Sequence, residues 1–307
     1  MIYINYLFKN LKYLFFIQFI CLQFFLTEIF SQTKNFYFTD LSDNAKVNAL
    51  GGNNISSKHN DFILNPSLIN YKSLTMNYMN YIIDINSSSI LYTDSSKFLG
   101  NYGLAIKYLS HGKFESYDIN GNFNGNFYPK EYILNFGKSH TFSKFSIGTN
   151  IKYFYSKLYE ESNSAFLIDI GSIYKPLDNK DFTIGIVIAN LGFTFKQNIT
   201  NIKSNLKIGS SFKPEYMPFR FSFTYLKKEK EINFQNFSLG IEVLLSKYLN
   251  IMFGYNHKIE KGFEINNFDK LNGISYGLEL ILKRFKLNYS RLILNSISSS
   301  NNISINY

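Results

Sequence analysis

The sequence predicts an all-β chain: a transmembrane antiparallel β-barrel of about 14 strands with a plug segment ahead of its first strand. Three observations predict it. Apolar and polar residues alternate with period two from Ser73 to Tyr307. The connections between the alternating segments are short and long in turn. The chain opens on an apolar run suited to export. A strand sends successive side chains to opposite faces, so this alternation describes sheets with one apolar face.

Residues 1–31 read as a signal peptide. Lys9 and Lys12 form a basic start, "LFFIQFICLQFFL" (14–26) is the apolar stretch, and Ser31–Gln32 lies near the expected cleavage site. The run is short for a membrane-spanning anchor. Cys21 is the single cysteine and is preceded by the bulky Phe19 and Ile20, which suits a lipoprotein site poorly. A chain cleaved near residue 31 therefore keeps no thiol for disulfides or thiolate metal ligation.

Residues 32–72 form the plug segment. They are too polar to face lipid and too few to fold alone. Gly51–Gly52 allows a tight turn, and Asn65–Pro66 marks another turn or cap. Residues 44–66, Ala49 among them, are expected to pack inside the barrel.

Residues 73–307 are the barrel, with segments at 73–83, 87–94, 101–110, 131–138, 143–157, 164–175, 182–195, 205–213, 218–227, 236–245, 248–257, 273–282, 285–293 and 300–307. In 143–156, Phe145, Ile147, Thr149, Ile151, Tyr153 and Tyr155 share one face, and Ser146, Gly148, Asn150, Lys152 and Ser156 the other. Even-numbered segments end in compact turns such as "SHTF", "PEYM" and Lys283–Arg284, whereas the longest loops, 111–130, 196–204 and 258–272, follow odd-numbered ones. That asymmetry is the pattern of an outer-membrane barrel. Tyr81, Tyr92, Tyr108, Tyr155, Tyr174, Tyr225, Tyr255 and Tyr289 lie near segment ends, where aromatic girdles sit. A soluble β-sandwich also alternates, but the export signal, the number of segments and these tyrosines disfavour it.

The formal charge is +10, with the lysines scattered and no basic helix. This is a poor match to nucleic-acid binding. The inward phase carries Lys107, Lys152, Asp169, Lys207, Arg220, Glu242, Glu279 and Lys286, which are expected to pair with each other and with the plug. His59, His111, His140 and His257 are far apart and lack metal-ligand spacing, and no serine-nucleophile or phosphate-loop motif occurs. No catalytic, metal or cofactor site is expected. Phe114, Tyr117, Phe123, Phe127 and Tyr128 in one long loop, and Phe263 and Phe268 in another, are candidate partner-binding residues, because aromatics on polar loops make effective interface anchors.

Several stretches resemble the PorV/PorQ family of fatty-acid-transporter-like (FadL-like) barrels. "DNAKVNALGGNNIS…ILNPSLI" is similar to its amino-terminal "ALGG…NPA" region. "SLTMNYMNYIIDINSSSILY", with Tyr78, Tyr81 and Asp84, continues the likeness. In "YLSHGKFESYDINGNFNGNFYPKEY", Tyr108, Gly112, Phe114, Asp118, Gly121, Gly125 and Phe127 follow the spacing of a PorQ-type loop. Ser67 stands where the family often has alanine, and "SSKHND" offers one acid where an acidic run is usual. The resemblance implies an outer-membrane component of type IX secretion that is not an enzyme. Its expected role is to hold a PorZ-like surface subunit of the complex that attaches cargo to lipopolysaccharide, with PorU- and PorV-like components nearby. The alternatives are a PorV-like cargo shuttle and, by fold analogy, a transporter of hydrophobic small molecules.

Overall fold

The computed structural model describes residues 38–57, 59–159, 161–176, 181–195, 202–228, 236–257, 271–295 and 298–307. The segment expected to be a signal peptide lies outside these residues, as do Phe263 and Phe268. Fourteen antiparallel strands close into a barrel. They are β1 (Ser73–Asn80), β2 (Asn86–Ser96), β3 (Gly100–Ser110), β6 (Lys130–Phe142), β7 (Phe145–Leu158), β8 (Glu161–Tyr174), β9 (Asp181–Thr194), β10 (Asn205–Lys213), β11 (Phe219–Lys228), β12 (Phe237–Leu244), β13 (Leu249–Asn256), β14 (Ile274–Leu282), β15 (Phe285–Ile293) and β16 (Ser299–Asn306). Each pairs with its sequence neighbour in the wall, and β1 pairs with β16 to close the ring. The remaining two strands, β4 (Phe114–Tyr117) and β5 (Phe123–Phe127), form a separate hairpin between β3 and β6.

The outward face is apolar and solvent-accessible over the whole circumference. Ile90, Ile106, Leu134, Ile151, Ile168, Ile188, Phe221, Ile241, Leu278 and Ile303 all belong to it. An exposed apolar belt of this extent is stable only in hydrocarbon. Ring pairs flank it at both ends. Tyr108 meets Tyr132 at 5.0 Å near the long loops, and Phe145 stacks on Tyr174 at 4.3 Å near the short turns. Closure is what lets strands span lipid, since it leaves no unpaired backbone edge.

One expected turn is displaced. "SHTF" (139–142) does not turn: β6 runs through Phe142, and the reversal falls on Ser143–Lys144. Ser143 takes a φ of 51°, as does Lys283 in the equivalent Lys283–Arg284 turn. Positive φ at the first central residue matches the twist of a two-residue hairpin, so the strands extend up to it.

The lumen is occupied by residues 38–57 and 59–69. This segment holds one short helix, α1 (Ala45–Ala49), capped by Asn44, and a 3-10 turn at Pro66–Leu68 capped by Asn65. Otherwise it is irregular, so its carbonyls need partners. Wall side chains supply them. Ser275 Oγ donates to Ala49 O (3.0 Å), Asn256 Nδ2 to Gly51 O (2.7 Å), Thr183 Oγ1 to Ser56 O (2.7 Å), Asn150 Nδ2 to Phe62 O (2.8 Å) and Ser146 Oγ to Ser67 O (2.9 Å).

Glycine makes this approach possible. Four inward glycine pairs lie directly opposite one another across strand boundaries: Gly103–Gly137, Gly148–Gly171, Gly185–Gly209 and Gly240–Gly254. A Cβ at Gly103 would lie 3.0 Å from the Phe62 ring, one at Gly209 2.9 Å from Ile55, and one at Gly240 3.0 Å from Leu50. Glycine inside a strand weakens it, and it persists where another backbone or ring comes close. The apolar contacts are small clusters shared between plug and wall, such as Val47, Ile55 and Leu64 with Val187 and Ala189, and Phe62 and Ile69 with Leu91 and Ala105.

Gly148→Val places a branched side chain against the Pro66 backbone. Overpacking of this kind costs about 1–3 kcal/mol. The expected result is a barrel that still shows heat-modifiable mobility, an unseated 65–67 segment and raised ion conductance in planar bilayers. A cysteine introduced by Ser67→Cys should then react quickly with a bulky maleimide, and slowly when Gly148 is kept. Outward Thr149→Val serves as the neutral control.

Candidate functional site: a charged, plugged lumen and an outer hairpin

Charges on the plug and the inward wall meet in two networks. In the first, Lys46 of α1 lies 2.6 Å from Glu242 and 3.1 Å from Glu279. Arg220 contacts Glu242 and Asp181, each at 2.7 Å, and Asn250 donates to Glu279 at 2.6 Å. Burial disfavours the Lys46 ammonium, but Glu242 and Glu279 outweigh it and hold its pKa above the ordinary value. In the second, Lys228 pairs with Asp40 at 2.8 Å. Asn205 and Asn190 also donate to Asp40, at 2.7 and 2.9 Å. Burial pushes Asp40 up, yet Lys228 and Lys207 bring it below the usual carboxylate range. Lys107 donates to the Leu41 carbonyl, and its ammonium stands 4.6 Å from the centre of the Phe38 ring.

Lys152 pairs with Asp169 inside the wall, beside an irregularity between β8 and β9. There Asn190 takes a φ of 62°, and its N–H donates to Asp169 Oδ1 at 2.8 Å. The bulge thus exchanges a ladder hydrogen bond for a carboxylate and aims the Asn190 amide at Asp40 of the plug.

The expected lumen charges Lys107, Lys152, Asp169, Lys207, Arg220, Glu242 and Glu279 are all buried. Lys286 shares the inward phase but is exposed at the short-turn end. Sequence reasoning missed the plug's own charges, Asp40, Asp43, Lys46 and Asp61, and the wall partners Asp181 and Lys228. No periodicity marks the plug charges, because the plug has almost no regular structure; Asp181 opens β9 and Lys228 closes β11, at the ends of the alternating segments.

Gly51 and Gly52 take φ of 90° and 82°. A Cβ at Gly51 would also lie 2.8 Å from the Tyr255 carbonyl. Asn65 is fully buried and works in three directions: it accepts from Ser67 N (3.1 Å) and Ser67 Oγ (2.7 Å), and it donates to Ile55 O (2.9 Å). Ser67 thereby satisfies its hydroxyl on its own cap. His59 is buried in the plug, with Nε2 2.7 Å from Asn54 O and Nδ1 accepting from Asp61 N (3.2 Å). Both contacts suit the neutral ring, and burial lowers its pKa to about 4.

At the long-loop end, β4 and β5 stand clear of the wall. Phe114 stacks on Phe127 at 5.5 Å, and Phe127 meets Tyr159 edge-on at 4.9 Å, which fixes the root of the hairpin. Tyr117 and Phe123 pair at 6.0 Å nearer the tip. Asp118 accepts from Asn120 N and Asn122 N, each at 2.8 Å, and Gly121 and Gly125 have φ of 82° and 112°. At the base, Gly112 has a φ of 84°, and its missing Cβ leaves room for Asp84. The tip therefore holds a defined shape while presenting Ile119 fully exposed and Tyr117 and Phe123 more than half exposed, and Tyr128 is likewise exposed at the base.

His111, His140 and His257 engage separate neighbours: Glu131 at 3.4 Å, the Phe142 ring and the Phe237 ring. Among the described residues no group of metal-ligating side chains forms.

No protein-family model and no curated protein matches the chain. Solved structures do. The chain is similar to a deletion mutant of the TodX monoaromatic hydrocarbon channel (TM-score 0.55, 10% identity, 85% of this chain and 96% of that one). It is also similar to the Pseudomonas putida toluene transporter TodX (0.51, 10%, 87% and 97%) and to the CymD monoaromatic hydrocarbon channel (0.50, 11%, 85% and 95%). The fold is the closed antiparallel β-barrel that these structures share. At these identities the likeness establishes the architecture alone.

Glu242→Gln leaves Lys46 and Arg220 without their shared carboxylate. Breaking one partner of a buried ion pair costs about 3–5 kcal/mol. The plug should loosen, read as faster labelling of the Ser67→Cys thiol. Acid should loosen it too. In the released plug His59 titrates near its ordinary value, and in the seated plug near 4. Its contribution is therefore full above the ordinary value and falls as pH drops toward 4. Burial raises Asp43 and Asp61, which act in the opposite sense. The His59 part is isolated by comparing labelling at pH 7 and 5 in the native chain and in His59→Gln, which should show the smaller acceleration.

Proposed function

We propose that this barrel is a non-conducting, PorQ-like anchor of type IX secretion. It sits in the outer membrane with its short turns in the periplasm and holds a PorZ-like surface subunit of the cargo-attachment complex. The observation that carries this reading is the outer hairpin. Its shape is held by Asp118, three glycines and the Phe114–Phe127–Tyr159 stack, while its tip offers unburied aromatic and aliphatic side chains to the long-loop side. Such side chains supply large apolar area with few rotors at an interface. The residues shared with PorQ-type loops, from Gly112 to Phe127, are those that build the hairpin. The seated plug supports a scaffold over a conduit. The anionic lipopolysaccharide of the outer leaflet and PorU- and PorV-like components complete the expected surroundings.

A second reading is a transporter of hydrophobic small molecules, and the shared fold with hydrocarbon channels favours it. Against it, a small cavity inside the described lumen, about 20 Å³, has six charged residues in its lining, Asp40, Asp43, Asp61, Lys107, Lys152 and Lys207, beside Leu41, Ile63, Leu64 and Ala189. Six charges around so small a space disfavour entry of a hydrocarbon there.

Substituting Phe114, Phe123 and Phe127 together by Ser should leave insertion and heat-modifiable mobility unchanged. It should release the surface subunit into the medium and leave secreted cargo unattached. Retention of the subunit at native levels, together with toluene or fatty-acid uptake that depends on the native barrel, would support the transporter instead. Recovery of the protein in the soluble fraction after carbonate extraction would overturn both readings.

A further inference from the structure

At the long-loop rim, Ser110, Lys130, Lys157 and Ser162 lie directly opposite one another across β3, β6, β7 and β8. All four continue the outward phase, because Ile106, Leu134, Ile151 and Phe166 of the exposed belt stand an even number of residues away on the same strands. Two lysines are therefore neighbours on one face, where like charges placed opposite each other repel. Among the described residues neither side chain has an ion pair or hydrogen bond. At the other rim, by contrast, Lys72 is matched by Asp94 at 3.4 Å. The next row toward the belt is Tyr108, Tyr132 and Tyr155, with the first two rings 5.0 Å apart. Beyond it come Leu134, Tyr153 and Phe166, the last two rings 5.3 Å apart. Passing from the rim into the membrane, this strip presents unpaired positive charge, then phenol hydroxyls, then apolar surface.

We propose that this strip binds a phosphate-bearing, acylated lipid of the leaflet on the long-loop side, the outer leaflet in the orientation proposed above. One phosphate between Lys130 and Lys157 relieves their repulsion and accepts charge-assisted hydrogen bonds from both ammonium groups. Ser110, Ser162 and the tyrosine hydroxyls offer further donors to the headgroup, and the acyl chains follow the belt past Leu134 and Phe166. The order of the rows matches the order of chemical groups along such a lipid. A free phosphate gains nothing from the apolar rows, so the strip is assigned to the lipid. The site lies on the bilayer side of the wall and involves no residue of the hairpin, so it stands or falls separately from the anchoring of a surface subunit.

The test uses the barrel purified in a neutral sugar detergent and native mass spectrometry with dimyristoyl phosphatidic acid as the probe. The controls are phosphatidylcholine with the same chains and competition by inorganic phosphate. Phosphatidic acid should be retained saturably and more weakly as salt rises, and phosphatidylcholine should not be retained. A basic side chain near a lipid surface contributes about 1 kcal/mol, so Lys130→Gln and Lys157→Gln should each weaken retention about fivefold and together about twentyfold. Lys130→Arg with Lys157→Arg should bind at least as tightly as the native chain, which separates charge from a general loss of structure. Lys138→Gln changes an outward lysine at the other rim and should have no effect. Heat-modifiable mobility should be native in every variant, and the single changes guard against misfolding of the double one. Absence of saturable retention, equal retention of phosphatidylcholine, or affinity unchanged in the Gln variants would overturn the proposal. So would displacement by inorganic phosphate at the concentration of the lipid, which would mark a site for the free ion.

Discussion

A ring of fourteen strands encloses more space than its own inward side chains fill, yet less than the open channel of a larger porin. That space has to be occupied by something the chain itself supplies, and residues 38–57 and 59–69 occupy it. Much of the wall follows from that requirement. Inward positions hold glycine where the plug comes closest, serine, threonine or asparagine where a plug carbonyl needs a donor, and a charged residue where the plug brings its counterpart. The plug in turn has little regular structure because wall side chains do the work that a helix or ladder would do for its backbone.

The same requirement shapes the electrostatics. Glu242 serves Lys46 and Arg220 together, and Asp40 takes bonds from three wall residues. Such pairs add modest net stability over apolar packing, but each is costly to break on one side only. They therefore specify one seating of an irregular segment more than they strengthen the barrel. The two mouths differ accordingly. One carries a shaped hairpin with exposed apolar side chains, and the other short turns such as Ser143–Lys144 and Lys283–Arg284.

The hairpin shows how a loop can be read before its structure is known. Gly112, Asp118, Gly121 and Gly125 each meet a backbone demand: positive φ at the three glycines and an acceptor for two amides at the aspartate. Phe114 and Phe127 are spaced to face each other across the turn. A pattern of this kind is visible in the residues because the forces behind it are local. That 111–130 contains two strands of its own is less visible, since Tyr117 and Phe123 pair through an irregular register.

By itself the sequence determined the closed sheet, its strand number and nearly every strand, because side-chain alternation is a local property that lipid on one face enforces residue by residue. It also marked the plug through Gly51–Gly52 and Asn65–Pro66, where the backbone needs positive φ or a cap. Only the tertiary structure decided which inward residues meet which part of the plug. The pairing of Lys46 with Glu242 spans 196 residues of sequence, and no periodicity carries such information. It decided, too, that Leu109, Ile133, Phe154 and Leu167 point inward around Phe38, on a face read as polar and small. Apolar residues belong there only because the plug returns through the lumen and gives them something apolar to cover.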